Sequence, residues 1–282
     1  MQSIHYGFHL SIAGKQGVAG AVAEAQRLGL SGFQIFAKSP RSWKTRNLGP
    51  GEIERFRAGR ENLGHLPAAI HASYLVNLGA TGELWEKSIF SLADDLTKAQ
   101  VLGIELVVVH PGSGEKKRIK EGALRALELA QIGKRGPKLL LENTAGGGER
   151  IGSRLEDLAW LIEGTPLGVC FDTCHAFAAG YPLHLEPERV IEELDQEIGL
   201  ERVPLIHLND SVGAWGSHID QHANLRQGRI GEALREVVRH PRLRGKLFVM
   251  ETERGETHDA HNLATLRRWL EACVSLRESS EE

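Results

Sequence analysis

The sequence predicts an α/β protein, a closed (β/α)8 TIM barrel that forms one domain over residues 1–276. Strand-like apolar runs alternate with helix-like segments eight times along the chain. The strand-like runs are short and apolar throughout, which is typical of a parallel sheet covered on its faces. The chain has 282 residues, and eight strand–helix units with short loops typically occupy about 250 residues. These three observations together favour the closed barrel.

The predicted strands comprise residues 4–10, 33–37, 68–71, 106–110, 139–142, 168–172, 203–207 and 247–251. The predicted helices comprise residues 18–28, 52–63, 84–102, 119–132, 153–162, 187–198, 230–240 and 262–276. In the first helix, Val18, Val22, Ala25 and Leu28 follow the 3.6-residue period of an amphipathic helix. Residues 277–282 are acidic, and we expect them to form a disordered tail.

A doubly wound open sheet is the competing fold for this pattern of elements. Its dinucleotide-binding form carries a GxGxxG motif between the first strand and the first helix, and the sequence has no such motif there. Gly146, Gly147 and Gly148 form a glycine-rich stretch, but the lysine of a phosphate-binding loop is missing. The barrel is therefore the predicted fold, and the open sheet stays as its alternative.

The composition is that of an ordinary globular protein, with 41% hydrophobic and 25% charged residues. The net charge of -3 provides no overall positive field, so nucleic acid would have to be bound by local patches. Three cysteines without a CxxC pair argue against a disulfide framework or a thiolate zinc site. The sequence shows neither a long apolar run nor a signal-like first segment, which predicts a soluble cytoplasmic protein without a membrane partner.

Six consecutive predicted strands end in a histidine, an aspartate or a glutamate. In a (β/α)8 barrel all strand C-termini lie on one rim, so these side chains should converge on one pocket. A single histidine at a strand end is more often structural, and a single carboxylate is more often a helix cap. Six in succession favour a multi-metal site, because clustered carboxylates are costly without cations. The six residues are His71, His110, Glu142, Asp172, His207 and Glu251.

A second set of candidate ligands comes from the segment after the sixth strand and the loop after the seventh. Asp220 and His222 are two residues apart, so in extended backbone their side chains point the same way. Together with His175 they could hold one further metal ion. His218 could compete, although we expect it to be a solvent-exposed loop histidine. Nine candidate ligands exceed the four that one zinc ion usually takes, and paired metals suit in-line phosphoryl displacement.

Other chemistries receive little support from the sequence. No GxSxG elbow of a serine hydrolase and no reactive-cysteine signature are found. Cys170 and Cys174 flank Asp172, and we interpret both as small buried residues of the core.

Several motifs resemble the endonuclease IV family of apurinic/apyrimidinic-site DNA repair enzymes. They are HASYLVNLG from His71, VVHPGS from Val108, LENTAGGG from Leu141, FDTCHAFAAGY from Phe171, and HLNDS followed by IDQHANL and GRIG. The similarity extends over nearly the whole chain. It implies a xylose-isomerase-like TIM barrel that holds three zinc ions, with manganese as an alternative in one position.

The resemblance also implies a role for each candidate ligand. His71, His110 and Glu142 would hold one zinc ion, and Glu142, the proposed catalytic residue, would bridge to a second. Asp172, His207 and Glu251 would complete the second site, while the third ion would be held by His175, Asp220 and His222. Enzymes of this family hydrolyse the phosphodiester bond 5′ to an abasic site, leaving 3′-hydroxyl and 5′-deoxyribose phosphate ends, and they also remove 3′-blocking groups.

Double-stranded DNA that contains abasic sites is therefore the expected partner of a protein that we expect to be monomeric. The family inserts residues that match Arg41, Tyr74 and Leu75 into the duplex. The basic loop KSPRSWKTR offers Lys38, Arg41, Lys44 and Arg46 as phosphate contacts. Without the resemblance, this loop would be read as a solvated charged segment, and Tyr74 and Leu75 as packing against the next helix.

The sequence departs from the family pattern at three positions. Gln221 stands where the family usually has arginine, Arg226 where it usually has glycine, and Ala72 where an aspartate often follows the first ligand. None of these changes removes a predicted metal ligand.

Two other functions remain open at this point. A metal-dependent sugar isomerase or epimerase of the xylose-isomerase-like barrels usually needs one or two metals, so the set of His175, Asp220 and His222 argues against it. A metal-storing or DNA-binding module without catalysis would have a saturated metal site with no open position for water.

Overall fold

Eight parallel strands close into a barrel in the computed structural model, which describes residues 4–271. The strands are β1 (His5–Leu10), β2 (Phe33–Phe36), β3 (Ala68–His71), β4 (Leu106–Val109), β5 (Lys138–Glu142), β6 (Gly168–Asp172), β7 (Leu205–His207) and β10 (Leu247–Met250). Their order around the barrel is β1, β10, β7, β6, β5, β4, β3 and β2, with β1 paired to both β10 and β2. Two further strands, β8 (Asp210–Ser211) and β9 (His222–Ala223), form a short antiparallel hairpin.

The helices pack around the outside of the barrel. They are α1 (Val18–Leu28), α2 (Pro50–Asn62), α3 (Gly82–Leu102), α4 (Lys116–Leu129), α5 (Leu155–Ile162), α6 (Thr173–Ala179), α7 (Pro187–Ile198), α8 (Leu234–Arg239) and α9 (Glu256–Glu271). No helix within residues 4–271 is long and apolar enough to cross a membrane.

The predicted (β/α)8 barrel is confirmed, and nearly all predicted boundaries within the described residues agree with the structure to within three residues. The predicted fourth strand ends one residue too late, so that His110 follows β4 directly. The predicted helix 230–240 is divided into a 3-10 turn, Gly231–Ala233, and helix α8. Helix α9 begins at Glu256, six residues earlier than predicted. The predicted end of that helix, the tail 277–282 and Cys273 lie outside the described residues.

The sequence patterns missed helix α6 and the β8–β9 hairpin, which both help to form the rim. Helix α6 begins directly after β6, because Asp172 ends the strand and caps the helix by accepting the His175 backbone N–H at 2.7 Å. A helix of seven residues made mostly of small side chains leaves no clear period. The strands of the β8–β9 hairpin have two residues each, which is too short for an alternating pattern.

The barrel interior explains why the strand ends meet. Successive side chains of a strand point to opposite faces, so each strand-end residue points to the same side as the residue two positions earlier. Those earlier residues are small or aliphatic and are packed together in one buried cluster, separate from the larger core between strands and helices. They are Ala69, Val108, Leu140, Cys170, Leu205 and Val249. The six polar strand-end residues therefore stand on an apolar layer inside the barrel.

The burial of Lys38 contradicts its predicted role as a phosphate contact. Its side chain is only 3% exposed, and Nζ donates to the carbonyl of Ser91 at 2.7 Å. Nζ also lies 3.0 Å from Oδ2 of Asp94 and 2.9 Å from Oδ1 of Asp95. Lys38 thus ties the segment that follows β2 to helix α3. Burial raises the pKa of Asp95 to about 6, although Lys38 opposes this shift.

The raised pKa of Asp95 should make the folded protein less stable as the pH rises. Between the unfolded value near 4 and the folded value near 6, the native state binds the proton more tightly, so stability falls as that proton is lost. We expect the free energy of unfolding of the wild type to drop by about 2 kcal/mol more than that of Asp95→Asn between pH 4.5 and 7.5. Urea unfolding at the two pH values measures this difference.

Asp94→Asn is the matched control, since it removes the other carboxylate on Lys38 and leaves Asp95 in place. It should retain the pH dependence of the wild type. Identical pH dependence in the wild type and Asp95→Asn would contradict the assignment.

Candidate metal centre

Glu142 lies at the centre of the cluster on the C-terminal rim, and its two oxygens face different neighbours. The side chain is completely buried at the end of β5. Oε2 lies 3.2 Å from Nε2 of His71 and 3.1 Å from Nε2 of His110. The Nδ1–H of His71 donates to the carbonyl of Ala72 at 2.7 Å, which leaves Nε2 as the atom that faces the carboxylate. We call His71, His110 and Glu142 the first donor group.

The second donor group forms around the other oxygen of Glu142. Oε1 lies 2.9 Å from Nδ1 of His207, and the same nitrogen lies 3.2 Å from Oε2 of Glu251. Oδ2 of Asp172 is 3.9 Å from this nitrogen. The pairing of Asp172 with His207 across β6 and β7 places both at one level of the barrel. Glu142, Asp172, His207 and Glu251 are therefore close enough for one ion to contact all four.

The third donor group consists of His175, Asp220 and His222. Oδ1 of Asp220 lies 3.0 Å from Nε2 of His175 and 3.5 Å from Nε2 of His222. His175 is held by helix α6, and its Nδ1 is 2.9 Å from the carbonyl of Asn143. The hairpin β8–β9 brings His222 to the rim. The structure thus brings all nine predicted ligand residues together, and the members of each of the three sets that the resemblance implies lie close enough to hold one ion.

The chemistry of these groups fits divalent metal ions. In each group the candidate ligand atoms lie within 4.8 Å of one another, and all are imidazole nitrogens or carboxylate oxygens. Nε2 of His175 and Nε2 of His222 are buried and make no hydrogen bond, although carboxylates are nearby. Buried polar atoms without a partner are costly, and a bound cation would satisfy them. Imidazole and carboxylate together suit zinc or manganese.

The pKa shifts of the clustered carboxylates and histidines are also consistent with a metal site. Burial opposes ionisation of Glu142, yet His207 and His110 hold the pKa of its carboxyl group well below the usual value. Burial also opposes charging of His175, but Asp172, Asp220 and Glu142 raise its pKa well above the usual value. Burial opposes ionisation of Asp220, but the nearby imidazoles of His175, His222 and His110 lower the pKa of its carboxyl group to about 2. Metal ions that bind here must therefore displace protons from histidine.

Side chains that the sequence patterns missed hold the ligands in place. Nδ2 of Asn209 donates to Oδ2 of Asp172 at 2.7 Å, and its Oδ1 accepts the backbone N–H of Glu251 at 2.8 Å. Asn143 bonds the backbone of Asp172 through both ends of its amide, at 2.6 and 3.0 Å. Gln34 contacts two ligands from the middle of β2. The sequence signal that could have identified these supporting residues is a polar side chain within or next to an apolar strand.

A cavity of about 730 Å³ opens above the donor groups and includes two of the three predicted DNA-binding residues. Arg41 and Tyr74 line it, together with Asn77, Ser113 and Arg150. The Tyr74 side chain is 51% exposed, and its ring centroid lies 5.4 Å from that of His71. Leu75 is half-buried beside it and is not among the lining residues.

The predicted basic loop contributes fewer free charges than expected. Arg46 donates to Oε1 of Glu52 at 2.7 Å, and with the burial of Lys38 this leaves Arg41 and Lys44 as its exposed basic residues. His218 is solvent-exposed, as the sequence predicts, and its Nδ1 lies 2.7 Å from the carbonyl oxygen of Ala145.

The structure also shows the surroundings of the three residues that depart from the family pattern and of two cysteines. Arg226 adopts a φ of +66°, a left-handed conformation that favours glycine, and its side chain pairs with Glu232 at 2.6 Å. Ala72 is buried, and Gln221 is exposed. Cys170 and Cys174 are buried as predicted, and burial raises the pKa of each thiol to about 12.

Comparisons with known proteins find one matching family model and several similar sequences. The family model of xylose isomerase-like TIM barrels matches residues 22–273. Endonuclease 4 of Thermus thermophilus is 65% identical over 266 residues, which cover 94% of this chain and 98% of the relative. A protein named probable endonuclease 4, from Halothermothrix orenii, is 39% identical over 277 residues, covering 93% of this chain and 99% of the relative.

Two solved structures are similar to this chain over nearly its whole length. The crystal structure of endonuclease IV from a second strain of Thermus thermophilus matches with a TM-score of 0.93 at 64% identity, covering 95% of this chain and 99% of that one. A D-tagatose 3-epimerase-like protein matches with a TM-score of 0.72 at 20% identity, covering 95% of this chain and 97% of that one. The second match shows a shared fold alone.

Proposed function

This chain belongs to the endonuclease IV family, and on that premise we propose that it is a metal-dependent DNA repair endonuclease that hydrolyses the phosphodiester bond 5′ to abasic sites. The products would carry 3′-hydroxyl and 5′-deoxyribose phosphate ends, and the same site would remove 3′-blocking groups. The observation that carries the proposal is the convergence of nine ligand-type side chains in three groups below one open cavity.

We assign one zinc ion to each donor group, with manganese as an alternative in one of them. The first ion would be held by His71, His110 and Glu142. The second would be held by Glu142, Asp172, His207 and Glu251. The third would be held by His175, Asp220 and His222. When bound, such ions neutralise the charge on the phosphodiester oxygens and activate water as the nucleophile.

Glu142 has the central role among the residues of the chain. One oxygen faces the first donor group and the other faces the second, so a single carboxylate fixes the distance between the two groups. Its complete burial excludes competing water contacts, and the histidines around it keep it ionised. Asp172 ties the second and third groups together, because its Oδ2 also lies 3.6 Å from Nε2 of His222.

We propose that Arg41, Tyr74 and Leu75 enter the DNA duplex at the abasic nucleotide. An enzyme that acts on such a site must expose it, and unstacking costs least where the base is missing. Apolar or aromatic wedges commonly occupy the gap in bent DNA. The half-exposed ring of Tyr74 lies directly beside the first donor group, and Arg41 lines the same cavity. A shared backbone contact supports joint action, since the carbonyl of Pro40 accepts the Tyr74 N–H at 3.1 Å.

A metal-dependent sugar isomerase or epimerase is the alternative that shares this fold. Such a site usually needs one or two metals, and here a third donor group lies next to the first two. The half-exposed Tyr74 and the exposed Arg41 leave the cavity open at the rim, which favours a substrate much larger than a sugar. The cytoplasmic location and the monomeric state remain predictions from the sequence.

Glu142→Gln should lower the rate of incision by several orders of magnitude while binding to abasic duplex persists. Loss of a positioned acid–base group typically costs about 10²–10⁴ in rate, and a residue shared by two metal sites should exceed this. The assay is single-turnover cleavage of a labelled duplex with one abasic-site analogue, combined with zinc analysis of each preparation. DNA polymerase should extend the wild-type product, because its 3′ end is a hydroxyl.

Glu253→Gln provides the matched control, since it makes the same chemical change two residues after Glu251 on an exposed side chain. It should cleave like the wild type. A near-normal rate in Glu142→Gln would mean that this carboxylate only supports the fold.

Tyr74→Ala combined with Leu75→Ala should weaken binding to abasic duplex and lower its incision. Folding, zinc content and cleavage of a small activated phosphodiester should stay unchanged, because that substrate needs no unstacking. Circular dichroism, zinc analysis and the two cleavage assays test this. Phe90→Ala removes a similarly exposed aromatic ring from helix α3 and should behave like the wild type. Equal loss of activity on both substrates would show that the pair supports the metal site instead.

A further inference from the structure

Gln34 is a fully buried polar side chain in the middle of the apolar strand β2, FQIF. Its neighbours Phe33 and Ile35 belong to the core between strands and helices, so Gln34 points into the barrel interior. Its Nε2 donates to Oε1 of Glu251 at 2.7 Å. Its Oε1 lies 2.9 Å from Nε2 of His207. One amide therefore contacts two members of the second donor group.

The neighbours of Gln34 determine which way its amide faces. If the amide were flipped, its oxygen would lie against the carboxylate oxygen of Glu251, and two acceptors would meet at 2.7 Å. In the observed orientation the amide nitrogen donates to that carboxylate, and its second hydrogen can be donated to Nδ1 of His9 at 3.0 Å. Both donors and the acceptor of the amide are then satisfied.

This orientation also determines which nitrogen of His207 can bind metal. Because the amide oxygen is an acceptor, Nε2 of His207 must carry the hydrogen and donate it. The lone pair for a metal ion is then on Nδ1, the nitrogen that faces Glu142 and Glu251. Hydrogen bonds of this kind typically fix the tautomer and the ring plane of a ligand histidine.

Glu251 is constrained in the same way. Its Oε1 is engaged by Gln34, so its Oε2 remains directed towards Nδ1 of His207, at 3.2 Å. The backbone N–H of Glu251 is held separately by Asn209. Nδ1 of His9 lies 3.3 Å from the same Oε1, so Gln34 makes the shorter of two side-chain contacts that orient Glu251.

We propose that Gln34 is a positioning residue for the metal ion of the second donor group. It aligns His207 and Glu251 so that Nδ1 and Oε2 point at one place, and it supports the reaction through them without touching DNA. This inference rests on the proposed function, which it deepens by assigning a residue that selects the ligand atoms. Loss of such a support typically weakens metal affinity by about 10–100-fold.

Gln34→Met is the principal test, because methionine has a similar shape and cannot form either hydrogen bond. One of the bound zinc ions should become about 10–100-fold weaker in competition with a chelator, while the other ions keep their affinity. In the cobalt-substituted protein, the visible spectrum of that one site should change. The kcat for incision of abasic duplex should fall and KM should stay near the wild-type value, since Gln34 lies beneath the cavity.

Ile35→Val is the matched control on the same strand, with its side chain on the opposite face. It should lower stability slightly without changing zinc affinity or the cobalt spectrum. Gln34→Asn keeps the amide on a shorter side chain and serves as the second variant if Gln34→Met does not fold; it should weaken the same site.

The outcomes separate the two proposals. Wild-type protein that binds no divalent metal would overturn the proposed function itself. Wild-type protein that binds its full set of metals, with unchanged affinity, spectrum and kcat in Gln34→Met or Gln34→Asn, would overturn the role of Gln34 alone. A uniform loss of all metals in proportion to lost stability would also overturn it, because a positioning residue acts on one site.

Discussion

The rest of the site depends on the position of Glu142 between two donor groups, with one carboxylate oxygen facing each group. This buried carboxylate presents one oxygen to His71 and His110 and the other to His207. A charged group without solvent is costly unless it is paired, and the surrounding imidazoles and the expected cations provide that pairing. The geometry is fixed by backbone, since Glu142 ends β5 and stands on the apolar layer of the barrel interior. The spacing of the first two donor groups is thereby set by one strand.

The supporting amides explain how so many like-charged groups are kept in one place. Asn209 bonds both Asp172 and Glu251, and Gln34 bonds both Glu251 and His207. Each amide joins residues from different strands, so the ligands cannot move apart one at a time. Neutral donors are suited to this task because they stabilise carboxylates without adding a charge that would compete with the metal. Rigid support of this kind is typical of sites whose ligands must be preorganised.

The sequence predicted the fold and six of the nine candidate ligands, because both follow from strand ends. A strand of known direction places its last inward residue on the rim, so the pattern of terminal His, Asp and Glu was sufficient to bring these six side chains together. Gln34 and Asn209 were missed, since a hydrogen bond between distant strands leaves no periodic signal. Helix α6 was missed because its residues are small. Lys38 was misjudged for a related reason, as its partners Asp94 and Asp95 lie far away in sequence.

We propose three separate metal positions around Glu142 and Asp172. Anomalous diffraction at the zinc edge, from crystals of the wild-type protein grown with zinc, tests this directly. We expect three peaks, one within ligand distance of each donor group, with Glu142 shared between the first two. Fewer than three peaks at full zinc saturation, or peaks away from these nine side chains, would contradict it.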